Sequence, residues 1–254
     1  MIRVNERKLK RDAFAALERL AFIQRLAGFS RWDASPALLS EAIRLYRGEV
    51  DVSGLITIAR SHADLISHSE YGKKQIRDAM RSRNFYSWRP IQYLLFEYNY
   101  DLQSRSKTDR EKIIWEKFAE NEADYKSIEH IYPQNARSQY WRDNFVGLKA
   151  AQRELLKNVV GNLLPLSKPK NASLSNLPYP DKANGRTHGI GYAYGSYSEN
   201  EVTVLYSQWT PQTILDRSLK ILDFMEVRWG VSFGRDSEKI EMLGLGFVAP
   251  QGRL

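Results

Sequence analysis

The fold is decided by three short stretches, which read Ile128-Glu-His-Ile-Tyr-Pro-Gln134, Gly161-Asn-Leu-Leu-Pro-Leu166 and Lys170-Asn-Ala-Ser-Leu-Ser-Asn176. Residues 125–132 are bounded by Pro133 and predict a short β-strand, and residues 159–166 resemble a second one. Residues 168–176 favour a short helix. The order places an acid and a histidine on one strand, an asparagine on a second strand, and a polar side chain nine residues later at a helix start.

Each stretch alone also has a purely structural interpretation. A lone histidine on an apolar strand is more often a structural residue, and Glu129 is equally compatible with a salt bridge. Asn162 fits a turn after Gly161, and Asn171 fits a helix cap. Adjacent residues on a regular strand face opposite ways, so Glu129 and His130 can serve one site only if the strand ends or kinks near Pro133.

The ordered set resembles the HNH, or His-Me finger, nuclease family, whose pattern is Asp/Glu-His, then Asn-Leu, then His or Asn about nine residues on. More closely, EHIYPQ, VGNLLPL, NASLSN and the later WTPQTILDR resemble the C-terminal nuclease domain of GmrSD-type, modification-dependent restriction enzymes. The closer resemblance covers about residues 85–230. It implies a ββα-metal nuclease that cleaves DNA.

The resemblance implies a role for each matching residue. His130 would be the general base that activates water, because a histidine with a pKa near 6.5 accepts a proton at neutral pH. Glu129 and the side-chain oxygen of Asn171 would hold one Mg²⁺ or Mn²⁺ ion, since such cations prefer oxygen ligands. Asn162 would fix the first strand by backbone hydrogen bonds and hold the imidazole in its tautomer.

The charge balance points to an anionic partner. The 254 residues carry 38 Lys and Arg against 30 Asp and Glu, a formal net charge of +8. An excess of this size favours nucleic acid, with a solvated basic surface as the alternative. The candidate DNA contacts are Lys168, Lys170, Lys182 and Asn176, of which Lys182 and Asn176 also match the family series. Tyr192, Tyr194 and Tyr197 are either stacking residues or part of a loop folded onto its own domain.

Several classes of function are excluded by what the sequence lacks. Without cysteine there is no disulfide, no thiol catalysis and no cysteine-ligated zinc. Without a GxxxxGK[ST] loop the chain is not expected to hydrolyse nucleotides itself. The resemblance therefore implies a nucleotide-using sensor module as partner, fused ahead of this region or on another chain. No signal core and no run of 18 apolar residues is present, which predicts a cytoplasmic protein with no membrane partner.

The remaining sequence predicts a mainly α chain with a small α+β core. Residues 1–120 are interpreted as a helical scaffold or partner region, and residues 121–254 as the nuclease domain. Apolar spacing, caps and breakers predict helices over 5–27, 36–47 (with Ser35 as cap), 53–66, 70–80, 88–101, 109–118, 138–158 and 210–229, and a long loop over 177–200.

The function expected is a metal-dependent DNA endonuclease that nicks or cleaves phosphodiester bonds in modification-dependent restriction or anti-phage defence. Two alternatives remain open at this point. One is a catalytically silent DNA-binding or scaffolding module of the same system, and the other is an RNA-directed nuclease.

Overall fold

Helices form where the sequence places apolar residues at helical spacing. The structure, a computed structural model, describes residues 2–29, 36–81, 83–106, 127–185 and 191–248. Within these ranges the chain is mainly helical with one two-stranded sheet, as predicted. The predicted helix over 109–118, the predicted cap Ser35 and the predicted domain boundary at residue 120 lie outside the described residues. No helix in the described ranges is both long enough and apolar enough to cross a bilayer.

Contacts divide the chain into two compact units, of which the first contains residues 1–82 and 225–242. Its helices are α1 (Ile2–Leu26), α2 (Pro36–Tyr46), α3 (Val52–His68), α4 (Glu70–Arg81), the end of α11 (Pro211–Trp229) and α12 (Asp236–Met242). The apolar face of α1 supplies the core, where the rings of Phe22 and Trp229 stack with centroids 3.6 Å apart. This unit contains none of the motif residues.

The second unit contains residues 83–224 and 243–254. Its elements are α5 (Ile91–Ser104), β1 (Ser127–His130), α6 (Gln139–Asn144), α7 (Ala150–Asn158), β2 (Leu163–Leu166), α8 (Lys168–Leu174), α9 (Tyr179–Asn184), α10 (Tyr197–Leu205) and the first part of α11. The helix α5, assigned from sequence to the helical region, thus belongs to the unit that carries the motif.

The sheet brings the first two motif stretches side by side. β1 and β2 pair antiparallel, with Glu129 opposite Leu164 and His130 opposite Leu163. All four residues of β2 are buried. Both strands of a two-stranded sheet are edge strands. Pro165 is therefore tolerated, because a residue on an edge strand can lack an N–H group without breaking the hydrogen bonds between the strands. The helix α8 follows β2 directly, so the order strand, strand, helix predicted for the motif is observed.

Three predicted elements differ from the structure. The helix predicted over 138–158 is two helices, because Gly147 between them has a left-handed φ of +77°. Residues 177–200, predicted as a loop, contain α9, a 3-10 turn at Tyr192–Tyr194 and the start of α10. Asn162 lies in a 3-10 turn (Val160–Asn162) before β2 rather than on the strand itself.

Candidate active site

A cleft of about 230 Å³ lies at the end of β1 and collects four of the predicted site residues. Glu129, His130, Asn171 and Asn176 all line it, together with Tyr86 and residues of the turn after β1. The strand ends at His130, which lets two adjacent residues reach one cleft despite the alternation of side chains along a strand. Asn162, Lys168, Lys170 and Lys182 do not line this cleft.

His130 has a buried imidazole with an unused nitrogen. Its ring centroid lies 4.3 Å from that of Tyr86, and Nε2 has no hydrogen-bond partner in the part of the chain described. Burial lowers the pKa of His130 to about 4, although a hydrogen bond to the Asn158 side chain partly offsets the shift. The imidazole is therefore neutral at pH 7, and its Nε2 is buried without a hydrogen-bond partner among the described residues.

Asn158 is a neighbour of the imidazole that sequence reasoning missed. Its Nδ2 donates to the carboxylate Oε1 of Glu154 at 2.8 Å and to the Glu154 carbonyl at 3.0 Å. These bonds orient the amide that contacts His130. The only sequence signal is a Glu and an Asn four residues apart, which places both on one face of α7.

Asn162 is fully buried and uses every hydrogen-bonding position of its side chain. Oδ1 accepts from the backbone N–H of Tyr132 at 2.7 Å and from Nε1 of Trp209 at 3.0 Å. Nδ2 donates to the carbonyls of Tyr132 at 3.0 Å and Lys157 at 2.9 Å. Asn162 thus clamps the turn that follows β1, as expected of a residue that fixes this strand. It does not hold the imidazole tautomer directly, because its side chain bonds only Tyr132, Lys157 and Trp209, whereas the side-chain partner of His130 is Asn158.

The first part of α11 holds the turn that contains Asn162. Arg217 is fully buried, and its Nη1 donates to the carbonyls of Gly161 at 2.8 Å and Leu163 at 2.9 Å. A Cβ on Gly161 would lie 2.3 Å from the Ile214 carbonyl oxygen, so glycine is required for this close approach. The stretch WTPQTILDR therefore contributes Trp209 and Arg217 as positioning residues, a role that the sequence did not reveal.

Glu129 forms a buried ion pair. Its Oε1 accepts from Lys182 Nζ at 2.6 Å and from the Tyr192 hydroxyl at 2.8 Å. Burial raises the pKa of Glu129 and lowers that of Lys182, and their mutual attraction opposes both shifts. The salt bridge that sequence reasoning kept as the alternative for Glu129 is thus present in the structure.

The placement of Lys182 argues against the predicted phosphate contact. The residue is fully buried, and its Nζ also donates to the carbonyls of His130 at 3.0 Å and Ile131 at 3.2 Å. All three N–H groups of the Lys182 ammonium have an acceptor inside the protein, so none is directed at solvent. Tyr192, which is also buried, is likewise folded onto its own unit rather than offered to bases.

Of the other three predicted DNA contacts, two are exposed and one is directed inward. Lys168, the first residue of α8, is exposed, and so is Asn176. Lys170 is directed inward, where Nζ pairs with the buried carboxylate of Glu199 and donates to the Gly191 carbonyl at 3.0 Å. Two of the four candidates are therefore positioned to meet a ligand at the surface.

Asn171 on α8 contacts the start of β1. Its Nδ2 donates to Ser127 Oγ and to the Ile128 carbonyl, the latter at 3.3 Å. Both side-chain bonds within the described ranges use Nδ2, which leaves Oδ1 as the atom with acceptor capacity. Asn171 lines the same cleft as Glu129 and His130, and Oδ1 is the side-chain atom that these two bonds leave unused.

A comparison with protein families matches residues 72–224 to the family described as GmrSD restriction endonucleases, C-terminal domain. The match covers more than half of the 254 residues. The chain belongs to the GmrSD C-terminal domain family. Membership indicates a nuclease role in restriction, with DNA as the substrate. No curated protein and no solved structure matches the chain.

The matched span contains every site residue of this GmrSD C-terminal domain described above. It begins within α4, in the first compact unit, and extends to the end of the second unit's share of α11. The positioning residues Trp209 and Arg217 and the buried pair of Glu129 and Lys182 lie inside it. The second unit, rather than the helices before it, is thus the main part of the family domain.

The donor chemistry of the cleft is compatible with one hard cation. The described residues contain no group of three or more His, Asp or Glu side chains that could hold a metal. Mg²⁺, however, commonly binds through one or two protein oxygens and keeps several waters. Both side-chain donors to Glu129 end on Oε1, so Oε2 of Glu129 and Oδ1 of Asn171 are the oxygens that fit such an ion.

Proposed function

We propose that this GmrSD C-terminal domain is a metal-dependent DNA endonuclease of the HNH type, with His130 as the general base. The observation that carries the proposal is the neutral, buried imidazole whose Nε2 has no hydrogen-bond partner in the described ranges. It lines the same cleft as the oxygen donors Glu129 and Asn171. An unpaired buried nitrogen is unfavourable unless a ligand or water completes it, which is what a base awaiting its water requires.

Hydrolysis of a phosphodiester needs a nucleophilic water, neutralisation of the phosphate and stabilisation of the leaving oxygen. His130 Nε2 accepts the proton of the attacking water. A bound anionic phosphate would raise the pKa of the nearby imidazole, and a bound divalent cation would lower it. Glu129 and Asn171 would hold Mg²⁺ or Mn²⁺, which would supply positive charge to the phosphate and to the leaving oxygen. Asn162 keeps the end of β1 in place.

The cellular setting we propose is modification-dependent restriction or anti-phage defence. The chain contains no GxxxxGK[ST] loop, so any nucleotide dependence must come from a second, sensing module. That module is fused to this region or lies on a separate chain. This part of the proposal rests on the family alone.

The test is relaxation of supercoiled plasmid in Mg²⁺, in Mn²⁺ and in EDTA. We expect His130→Ala to cleave about 10²–10⁴-fold more slowly than wild type, the usual size of general-base catalysis. His68→Ala is the matched control, because His68 is an exposed histidine of the first unit, and it should keep full activity.

Each contrary outcome has a distinct meaning. Undiminished activity of His130→Ala excludes His130 as the base, and full activity in EDTA excludes the metal. Metal-dependent cleavage of RNA but not of DNA favours the RNA-directed alternative. Binding without cleavage of either substrate favours the silent module.

A further inference from the structure

A second cleft adjoins the candidate active site and has no part in the chemistry proposed above. It encloses about 500 Å³ between the turn at residues 86–89, the first turn of α5, the start of β1 and Lys168 at the start of α8. Tyr86 and Ile128 line both clefts. A ligand in the second cleft therefore lies directly beside one in the first.

Aromatic side chains form one wall of this second cleft. Tyr86 is 41% exposed although its ring contacts the His130 imidazole, with centroids 4.3 Å apart. Trp88 also lines the cleft, and its ring is held by the Arg83 guanidinium, which lies 4.4 Å from the ring centroid. An exposed ring beside a reacting group offers a platform on which a planar ligand can stack.

The same cleft is positively charged. Its lining within the described ranges includes the exposed cations Arg89 and Lys168 and no Asp or Glu. Guanidinium and ammonium groups both bind phosphate oxygens, the former by bidentate hydrogen bonds. The aromatic rings match the base of a nucleotide, on which they can stack. The cations, which no Asp or Glu of the described lining opposes, match its phosphate.

We propose that the second cleft binds an unpaired nucleotide of the DNA substrate, next to the phosphate that is cleaved. Tyr86 stacks on the base, and Arg89 and Lys168 contact the flanking phosphates. The neighbouring position of the scissile phosphate rests on the proposed function. A base within a duplex has both faces covered by its neighbours, so stacking on Tyr86 requires a nucleotide that has left the helix.

The experiment compares three labelled DNA duplexes by fluorescence anisotropy in EDTA, which separates binding from metal-dependent cleavage. One duplex is fully paired, one carries a single-nucleotide bulge, and one carries an abasic residue at the bulge. We expect wild type to prefer the intact bulge over both others. Tyr86→Ala should weaken binding of the bulged duplex by roughly 5- to 150-fold, the range measured for base–aromatic stacking, and Tyr86→Phe should retain it.

The abasic duplex distinguishes direct stacking from an indirect effect of the variant. Removing the base and removing the Tyr86 ring should together weaken binding no more than either change alone, because each removes the same contact. The matched control is Tyr100→Ala, which removes a ring that is 55% exposed on α5 and does not line the cleft. Tyr100→Ala should bind all three duplexes as wild type does.

Two results overturn the nucleotide subsite. One is equal binding of paired and bulged duplexes by wild type, and the other is an undiminished preference for the bulge in Tyr86→Ala. A different result would overturn the nuclease proposal: the protein prefers the bulged duplex through Tyr86 but cleaves no DNA in Mg²⁺. Cleavage of plasmid with no effect of Tyr86→Ala on binding removes the subsite and leaves the nuclease.

Discussion

At the scale of single residues, burial determines what His130 can do. An imidazolium loses more hydration energy on burial than a neutral imidazole does, so the pKa falls to about 4. The side chain is thereby kept as a proton acceptor over the whole physiological range. The same burial leaves Nε2 with no partner among the described residues, an unfavourable arrangement for a purely structural histidine.

Stability should depend on pH through His130. Its folded-state pKa of about 4 lies below the ordinary value of 6.5, so the unfolded chain binds the proton more readily. The contribution is fully present above pH 6.5 and is lost as the pH falls towards 4, by up to about 3 kcal/mol. Urea unfolding of metal-free protein between pH 7 and pH 4.5 measures it. His130→Gln should show a smaller loss over that interval, and identical pH profiles would contradict the assigned pKa.

The role of Lys182 is also tested by stability. Removing one member of a buried ion pair leaves an uncompensated charge, which costs about 3–5 kcal/mol. We expect Lys182→Met to lower the free energy of unfolding by that amount, because Glu129 and two backbone carbonyls lose their donor. Lys168→Met, at an exposed lysine, should stay within about 0.5 kcal/mol of wild type. A stable Lys182→Met with weakened DNA binding would instead support the phosphate contact predicted from sequence.

At the scale of elements, the site depends on how α11 supports the turn before β2. Arg217 binds the carbonyls on both sides of Asn162, and Trp209 binds its side chain. Asn162 in turn holds both backbone groups of Tyr132. The end of β1, where Glu129 and His130 lie, is therefore positioned by a chain of hydrogen bonds that begins in a helix more than 40 residues away in sequence.

Replacement of Asn162 should test this support. Asn162→Ala removes four hydrogen bonds, three of them buried, and we expect the free energy of unfolding to fall by about 3 kcal/mol or more. The exposed Asn176 provides the matched control, since Asn176→Ala should change stability by less than about 0.5 kcal/mol. Thermal and urea unfolding of both variants give the comparison. Equal stability of the two variants would show that Asn162 does not stabilise the turn after β1.

The elements could be predicted from sequence where local patterns determine them. Helix ends are marked by residues whose own backbone geometry favours them, namely Pro36, Gly48 and Pro211. The periodic spacing of apolar residues between such positions predicted most helices of the first unit. The region 177–200 was misinterpreted because its helices are short and their stability comes from burial rather than length. Its local signals include Pro180 in the first turn of α9 and the capping box between Ser196 and Glu199.

The candidate site was predictable in its residue types but not in its partners. The motif order indicated Glu129, His130 and Asn171, which line one cleft, and Asn162, which does not line it but bonds the turn after β1. That Lys182 and Tyr192 bind Glu129, or that Asn158 contacts His130, depends on tertiary packing that no local pattern encodes. Charge alone could not separate the exposed Lys168 from the buried Lys182.

At the scale of the whole molecule, the sequence combines the proposed site for phosphodiester chemistry with no GxxxxGK[ST] loop for nucleotides. Its formal net charge of +8 favours DNA binding that is driven by counterion release and is largely independent of sequence. We therefore propose that selectivity for modified DNA comes from a partner.

The isolated chain should therefore be a weak and unselective nuclease. We expect slow nicking of modified and unmodified phage DNA at similar rates in a side-by-side digestion. Addition of the sensing module should change the rate or the selectivity, and nucleotide should matter only when that module is present. A strong preference of the isolated chain for modified DNA would place the sensing function within these 254 residues.

The central claim is that His130 removes the proton from the attacking water, and chemical rescue tests it most directly. His130→Gly deletes the imidazole and leaves space for an external one. Plasmid nicking by this variant in Mg²⁺ should be about 10²–10⁴-fold slower than wild type and should rise with the concentration of added imidazole, while wild type does not respond. A His130→Gly variant that nicks plasmid at the wild-type rate, with or without imidazole, would contradict the account.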